Sequence, residues 1–249
     1  MKYQNLQYNL LNLPSRITYS DGRMADYVYS ATGTKLSVTY TNGGSIKNNQ
    51  YCGKMLYENG TLKQILIDGG YITFNGSTPQ YHYYLKDHLG NNRVVVNASG
   101  TVEQVNHYYP YGGLMGESTN GDVQRYKYNG KELDRMNGLD WYDYGARHMD
   151  GIRFTTMDPM AEKYYDISPY VYCAGNPVML VDLEGKEPTE DEAARIAAHV
   201  YGDKKDDILT GGWRVSLKDF GISSKKWNKI TSILKTKDTA SDFIEPTIL

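Results

Sequence analysis

Turn-forming dipeptides recur along most of this chain at steps of about ten residues, a spacing that leaves room for short antiparallel strands and little else. Residues 17–19 run into Ser20-Asp21-Gly22, 25–29 into Ala31-Thr32-Gly33, and 36–40 into Asn42-Gly43-Gly44. The same grammar continues with 54–58 before Asn59-Gly60, 64–67 before Asp68-Gly69-Gly70, and 81–85 before Gly90-Asn91-Asn92. Residues 93–97, Ser99-Gly100 and 102–109 complete it. Asp-Gly and Asn-Gly favour hairpins because both central positions of a type I′ turn need positive φ. The pattern predicts an up-and-down antiparallel β-ribbon built on a degenerate repeat of about 20 residues, with a single short helical turn after Pro159.

Composition locates the boundary of this region. The chain has 24 Tyr against 4 Phe and 3 Trp, and Tyr201 is the only tyrosine beyond residue 186. Tyrosine pairs a flat apolar ring with a hydroxyl that can stay wet, which suits broad sheet faces that are only partly dry. After Gly185 the character changes. Thr189 and Glu192 form a capping box, and Ala193, Ile196, Ala197, Val200 and Tyr201 follow at helical spacing before Gly202. A second amphipathic helix is expected from Ser223 or Ser224, with Trp227, Ile230, Ile233 and Leu234 on one face, and a strand or hairpin at 209–215. The expected organisation is a lead-in over 1–14, a β domain over 15–186 and a variable, α-rich segment over 187–249.

Charge and motif content exclude several functions. With 29 acidic and 27 basic residues the chain lacks the excess of a nucleic-acid module or a polybasic membrane anchor. No run approaches the roughly 18 apolar residues of a membrane-spanning helix, and the first 14 residues have no signal-peptide core, so synthesis in the cytoplasm is expected. Cys52 and Cys173 make neither a disulfide framework nor a metal spacing. His82, His88, His107, His148 and His199 include no i, i+4 pair, so no metal site is expected, and no nucleotide or hydrolase signature implies a cofactor. Asp203, Asp206 and Asp207 lack the pattern of a calcium loop.

Residues 81–186 carry a family resemblance. The segment Tyr83-Tyr84-Leu85-Lys86-Asp87-His88-Leu89-Gly90-Asn91 resembles the Y-x-x-D-H-L-G-N stretch of RHS/YD-repeat proteins. Tyr108-x-Pro110-Tyr111-Gly112, Tyr128-Asn129-Gly130-Lys131-Glu132 and Leu139-Asp140-Trp141-Tyr142-Asp143-Tyr144-Gly145-Ala146-Arg147 resemble further landmarks of the RHS repeat-associated core. Gly151-Ile152-Arg153-Phe154, Asp158-Pro159, Asn176-Pro177 and the stretch from Asp182 to Gly185 complete the series, and the region around Ile17, Asp21, Tyr27 and Tyr29 looks like one more repeat.

The resemblance implies a mainly β fold, an open spiral sheet forming part of an RHS shell, and a carrier that sheathes a C-terminal effector of the polymorphic-toxin kind. It implies as partners a longer RHS shell protein, a dedicated secretion machinery and an immunity protein, and as destination the cell surface or exterior. The first strand is then expected to present an open edge, and the chain to be a fragment or cassette of a longer shell. Asp87, His88, Gly90, Arg147, Arg153, Asn176 and Pro177 become structural core positions, His88 fixing a turn and the two arginines tying carbonyls or an aspartate at bends of the sheet.

The alternative implied by the same resemblance is an aspartyl autoprotease. In cleaving members two aspartates act as a pair, here Asp158 and Asp182, one taking a proton from water while the other, protonated, polarises the carbonyl near Gly185-Lys186. Ala161, Leu183 and Lys186 depart from the pattern of those members. The competing reading gives Asp158 and Asp182 local turn-capping roles. A third possibility is glycan binding by exposed tyrosine faces. Residues 194–213 faintly resemble the start of class 3 lipase-like domains, with too little chain following to hold that enzyme's serine, aspartate and histidine.

Overall fold

A computed structural model describes residues 3–163, 167–178 and 180–186, all within the first of the two units, Met1–Glu187 and Pro188–Leu249, into which the chain divides. The helices, the 209–215 hairpin and the α-rich character expected of 187–249 lie outside the described residues.

Eleven strands follow one another in sequence and in space, each antiparallel to the last. They are β1 (Asn5–Tyr8), β2 (Pro14–Thr18), β3 (Met24–Tyr29), β4 (Lys35–Asn42), β5 (Ser45–Cys52), β6 (Met55–Glu58), β7 (Thr61–Ile67), β8 (Gly70–Asn75), β9 (Thr78–Lys86), β10 (Asn92–Asn97) and β11 (Val102–Val105). A separate three-stranded sheet holds β12 (Glu132–Asp134), β13 (Trp141–Asp143) and β14 (His148–Met149). The fold is therefore mainly β and antiparallel, as the turn spacing predicts. Helical turns among the described residues are short 3₁₀ segments, one of them Ala161–Lys163 just after Pro159. None of them is long and apolar enough to cross a membrane.

Turn chemistry sets the hairpins. Glu58 pairs with Thr61 across Asn59-Gly60, whose φ values of 49° and 77° give the doubly left-handed turn expected of Asn-Gly. At the start of β8 a Cβ on Gly70 would lie 2.0 Å from the His82 carbonyl oxygen, so only glycine lets β9 come this close.

Three strands have no counterpart in the expected pattern: β1, which lies inside the lead-in, β5 and β8. β5 reads Ser-Ile-Lys-Asn-Asn-Gln-Tyr-Cys, without apolar alternation. Its strand state comes from its neighbours, since it registers with β4 from Asn42↔Ser45 to Ser37↔Gln50 and with β6 from Asn49↔Glu58 to Cys52↔Met55. Conversely, the expected strand at 102–109 stops at Val105, where the chain leaves the sheet.

One face of the meander is dry where it meets the small sheet. Ile17, Tyr19, Ala25, Tyr27, Val38 and Tyr40 pack with Leu139 and Trp141. A second cluster joins Tyr108, Tyr128, Leu133, Tyr142, Tyr144, Met149, Phe154 and Tyr172. Each fully buried side chain of this size contributes about 1.5–3 kcal/mol. β12–β14 thus lies between the inner face of β2–β4 and an aromatic core made by the segments that follow. At the far side of the large sheet β1 is the terminal strand, paired only with β2 among the described residues.

Candidate functional site

Two polar centres flank the small sheet. The first is an ionic seam against the inner face of the meander. Lys35 of β4 places its Nζ 2.8 Å from Glu132 Oε2 and 2.7 Å from Asp143 Oδ2, over the Tyr51 ring at 4.8 Å. Arg125 and the Tyr51 hydroxyl both donate to Glu132 Oε1, at 3.0 and 2.7 Å. Burial alone would raise both carboxyls. The ammonium, joined at Glu132 by Arg125, reverses that and holds both below the ordinary carboxylate range.

Asp134 sits on the same strand as Glu132 and behaves oppositely. Its Oδ2 accepts hydrogen bonds from Tyr27 at 2.6 Å and Tyr40 at 2.7 Å, neutral donors on β3 and β4. Burial raises its pKa, and the two hydroxyls only partly offset it. Burial also lowers the pKa of His148, which faces Tyr27 and Trp141 with Asp143 Oδ2 at 4.0 Å from its Nε2.

The second centre is a clamp on Arg147, which follows β13. Its side chain is 2% exposed and its guanidinium carbon stands 3.6 Å from the centre of the Phe154 ring. Nη2 contacts Asp158 Oδ2 at 2.7 Å and Asp182 Oδ2 at 3.2 Å, Nη1 donates to the Pro169 carbonyl at 3.2 Å, and Nε donates to the Gly185 carbonyl at 2.6 Å. The geometry therefore brings Asp158 and Asp182 together on one guanidinium nitrogen, despite the 24 positions between them, and sets the Gly185 carbonyl on the same group. A planar fork with several donors can do this; a point charge cannot.

Each aspartate also caps backbone. Asp158 Oδ1 accepts the Met160 N–H at 2.7 Å, turning the chain across Pro159. Asp182 Oδ1 accepts N–H bonds from Glu184, Gly185 and Lys186 at 3.1, 2.8 and 3.1 Å. Burial pushes the Asp182 carboxyl up to about 6, against the pull of Arg147 and those three amides. Gly185 has φ +67°, and a Cβ there would stand 2.9 Å from the Arg147 amide nitrogen, so the tight approach requires glycine. Lys131 Nζ donates to the Leu183 carbonyl and lies over the Tyr144 ring, fixing the same segment from the other side.

The remaining core positions divide. Asp87 holds its own turn, accepting N–H bonds from Leu89 at 3.1 Å and Asn91 at 3.0 Å, while Gly90 supplies φ +77°. His88 does not fix that turn; its Nε2 instead reaches the Val178 carbonyl at 3.4 Å, in the loop that Asn176 and Pro177 enter. Asn176 accepts the Leu180 N–H at 3.1 Å through its carbonyl, and the Pro177 carbonyl accepts the Tyr128 hydroxyl at 3.2 Å. Arg153 departs from its expected tying role. Its side chain is 68% exposed with Asp150 Oδ2 at 3.7 Å, because the turn after Gly151 directs it outward. No group of His, Cys, Asp or Glu among the described residues is arranged to hold a metal ion.

No protein-family model and no curated protein matches the chain. Solved structures do. Crystal structures of TcdB2-TccC3-TEV and TcdB2-TccC3-Cdc42 superpose with a TM-score of 0.61 each, at 19% and 22% identity over 74% and 80% of this chain. A Tc holotoxin pore of Photorhabdus luminescens carrying a TccC3 mutation superposes at 0.57, with 20% identity over 74% of this chain. The fold is shared with part of the TcdB2-TccC3 chains. This chain spans only 10% or 11% of the length of those chains.

Several central residues have no separate signal in the sequence. Asn129 adopts φ 49° and ties its own landmark to two others and to Tyr172: its Nδ2 donates to the Leu89 carbonyl, and its Oδ1 accepts the hydroxyls of Tyr144 at 2.6 Å and Tyr172 at 2.8 Å. Within the Tyr-Asn-Gly-Lys-Glu landmark, an asparagine before glycine signals positive φ but not the two tyrosines it will receive. Lys35, Asp134 and His148 sit in unremarkable strand or loop contexts, and only the 97-residue closure from Lys35 to Glu132 reveals them.

Proposed function

We propose that this chain is an RHS-type carrier: β1–β11 form shell wall, the small sheet lines its inner face, and the 131–186 region leads the chain to a variable C-terminal effector segment. The observation that carries this reading is the uninterrupted eleven-strand meander, docked along its tyrosine-bearing face onto β12–β14. The likeness to Tc toxin shell chains supports it. In this reading β1 offers its edge to further shell strands, the effector has its own immunity protein, and the assembly acts outside the cell after export. Co-expression with a longer RHS shell chain tests it. Co-elution of the two, lost when Gln7 and Leu6 on β1 are both replaced by proline, is the expected result; independent elution under all conditions overturns it.

A second reading, autoproteolysis at Gly185-Lys186, is favoured by one observation, the convergence of Asp158, Asp182 and the Gly185 carbonyl on Arg147. With its pKa near 6 the Asp182 carboxyl holds a proton over part of the population close to neutral pH. Intact-mass spectrometry of freshly purified protein decides this. Release of a C-terminal fragment, abolished in Asp182→Asn, supports cleavage, whereas a single full-length species persisting for days eliminates it and leaves the carrier reading standing.

A further inference from the structure

Thr73 on β8, His82 on β9 and Glu103 at the β10–β11 bulge are joined in a line. Thr73 Oγ1 lies 2.8 Å from His82 Nε2, and His82 Nδ1 lies 2.5 Å from Glu103 Oε2. The atom roles are those of a nucleophile, a base and a group that orients the base. Neighbouring residues fix the imidazole. Tyr71, directly opposite His82 in the register, stacks on its ring with centroids 4.4 Å apart and planes 8° from parallel. The bulge arises because Val95 pairs with Gln104 and Val96 with Val102, which leaves Glu103 as the extra residue. Its carboxylate thereby meets a histidine two strands away.

A donor for a developing oxyanion is also present. The β7–β8 ladder runs from Ile67↔Gly70 to Ile65↔Ile72, and Gln64 and Thr73 are the next residues along the two strands. Gln64 is buried, and among the described residues its side-chain Nε2 has no hydrogen-bond partner. Buried amide donors are normally satisfied, so an unused one on the strand next to Thr73 is suited to meet a ligand oxygen. Thr73 is only half-buried, so its hydroxyl can be reached.

We propose that Thr73, His82 and Glu103 form a hydrolytic site for carboxylic esters. With Nδ1–H donated to Glu103, His82 Nε2 takes the Thr73 hydroxyl proton as Oγ1 bonds to the ester carbonyl carbon. The carbonyl oxygen, now negative, is met by the Gln64 amide. The ester C–O bond then breaks and the leaving alcohol receives the proton from His82. Water, deprotonated by the same nitrogen, releases the acid and restores Thr73. No redox partner is required. Thr73 and His82 are the catalytic residues, Glu103 the positioning residue.

The full chain is tested with p-nitrophenyl acetate and a fluorophosphonate probe. The expected results are turnover above the buffer rate and a covalent phosphonyl adduct on Thr73 in peptide mass spectra. Thr73→Val, nearly isosteric, falls to the buffer rate while keeping the parent circular dichroism and melting curve, and Thr73→Ser keeps activity. Glu103→Gln lowers kcat by roughly 10²–10⁴-fold at unchanged KM. Hydrolysis by Thr73→Val at the parent rate, or a folded parent that neither turns over ester nor takes the probe, overturns the proposal.

Discussion

The seam at Lys35 and the clamp at Arg147 bury comparable groups but balance them differently. At the seam two cations, Lys35 and Arg125, meet two carboxylates, Glu132 and Asp143, and each carboxylate is held in its charged form. At the clamp the guanidinium faces Asp158 and Asp182 together, and the Asp182 carboxyl rises to about 6. A balanced centre acts as a fixed fastening. At Asp182 burial outweighs the pull of Arg147 and of three backbone amides, which leaves a carboxyl that can exchange its proton near neutral pH.

Breaking the seam gives the largest expected effect. Lys35→Met leaves Glu132 and Asp143 buried without their shared cation, and a loss of about 3–5 kcal/mol in urea unfolding is expected. A change below about 1 kcal/mol would show that the seam is solvated rather than dry.

Asp182→Asn sharpens the contrast through pH. The folded pKa of Asp182, about 6, lies above its ordinary 3.8, so its contribution to stability is fully present below 3.8 and is lost as pH rises through 6. Thermal melts of the parent relative to Asp182→Asn should decline across that window, with a slope of at most about 1.4 kcal/mol per pH unit. Glu132 and Asp143, shifted the other way, add stability that disappears only at much lower pH. Parallel curves for the parent and Asp182→Asn would remove the distinction between the two centres.

The smallest effect probes the neutral half of the seam. Tyr40→Phe removes one of the two hydroxyl donors to Asp134, with an expected cost of about 1–2 kcal/mol by chemical denaturation. An equal loss in Lys35→Met and Tyr40→Phe would mean that charge pairing contributes nothing beyond a single hydrogen bond.

How far the sequence foretells this depends on the range of the physics. Hairpins at Asn59-Gly60 and Asp68-Gly69 are local events, legible because glycine and asparagine tolerate positive φ that other residues resist. β5 was illegible because its partners, not its own residues, make it a strand, and β8 because it begins at a glycine chosen for close packing rather than for a turn. Asp158, Asp182 and Arg147 could be named from the landmarks that carry the resemblance, yet their meeting on one nitrogen is made only by the folded chain. The seam was invisible for the same reason: Lys35 and Tyr51 find Glu132 across 97 and 81 positions, and nothing in the intervening chain encodes that encounter.

The strictly sequential order of the eleven strands also has a kinetic meaning. Each new strand can zip onto the one made just before it, so the sheet can be laid down during synthesis without long loop closures. Its inner tyrosines and Lys35 must then wait, still hydrated, until about a hundred residues later the ribosome delivers their acidic counterparts. Solvated hydroxyls and an ammonium on that waiting surface resist premature sticking far better than an oily one of equal area would.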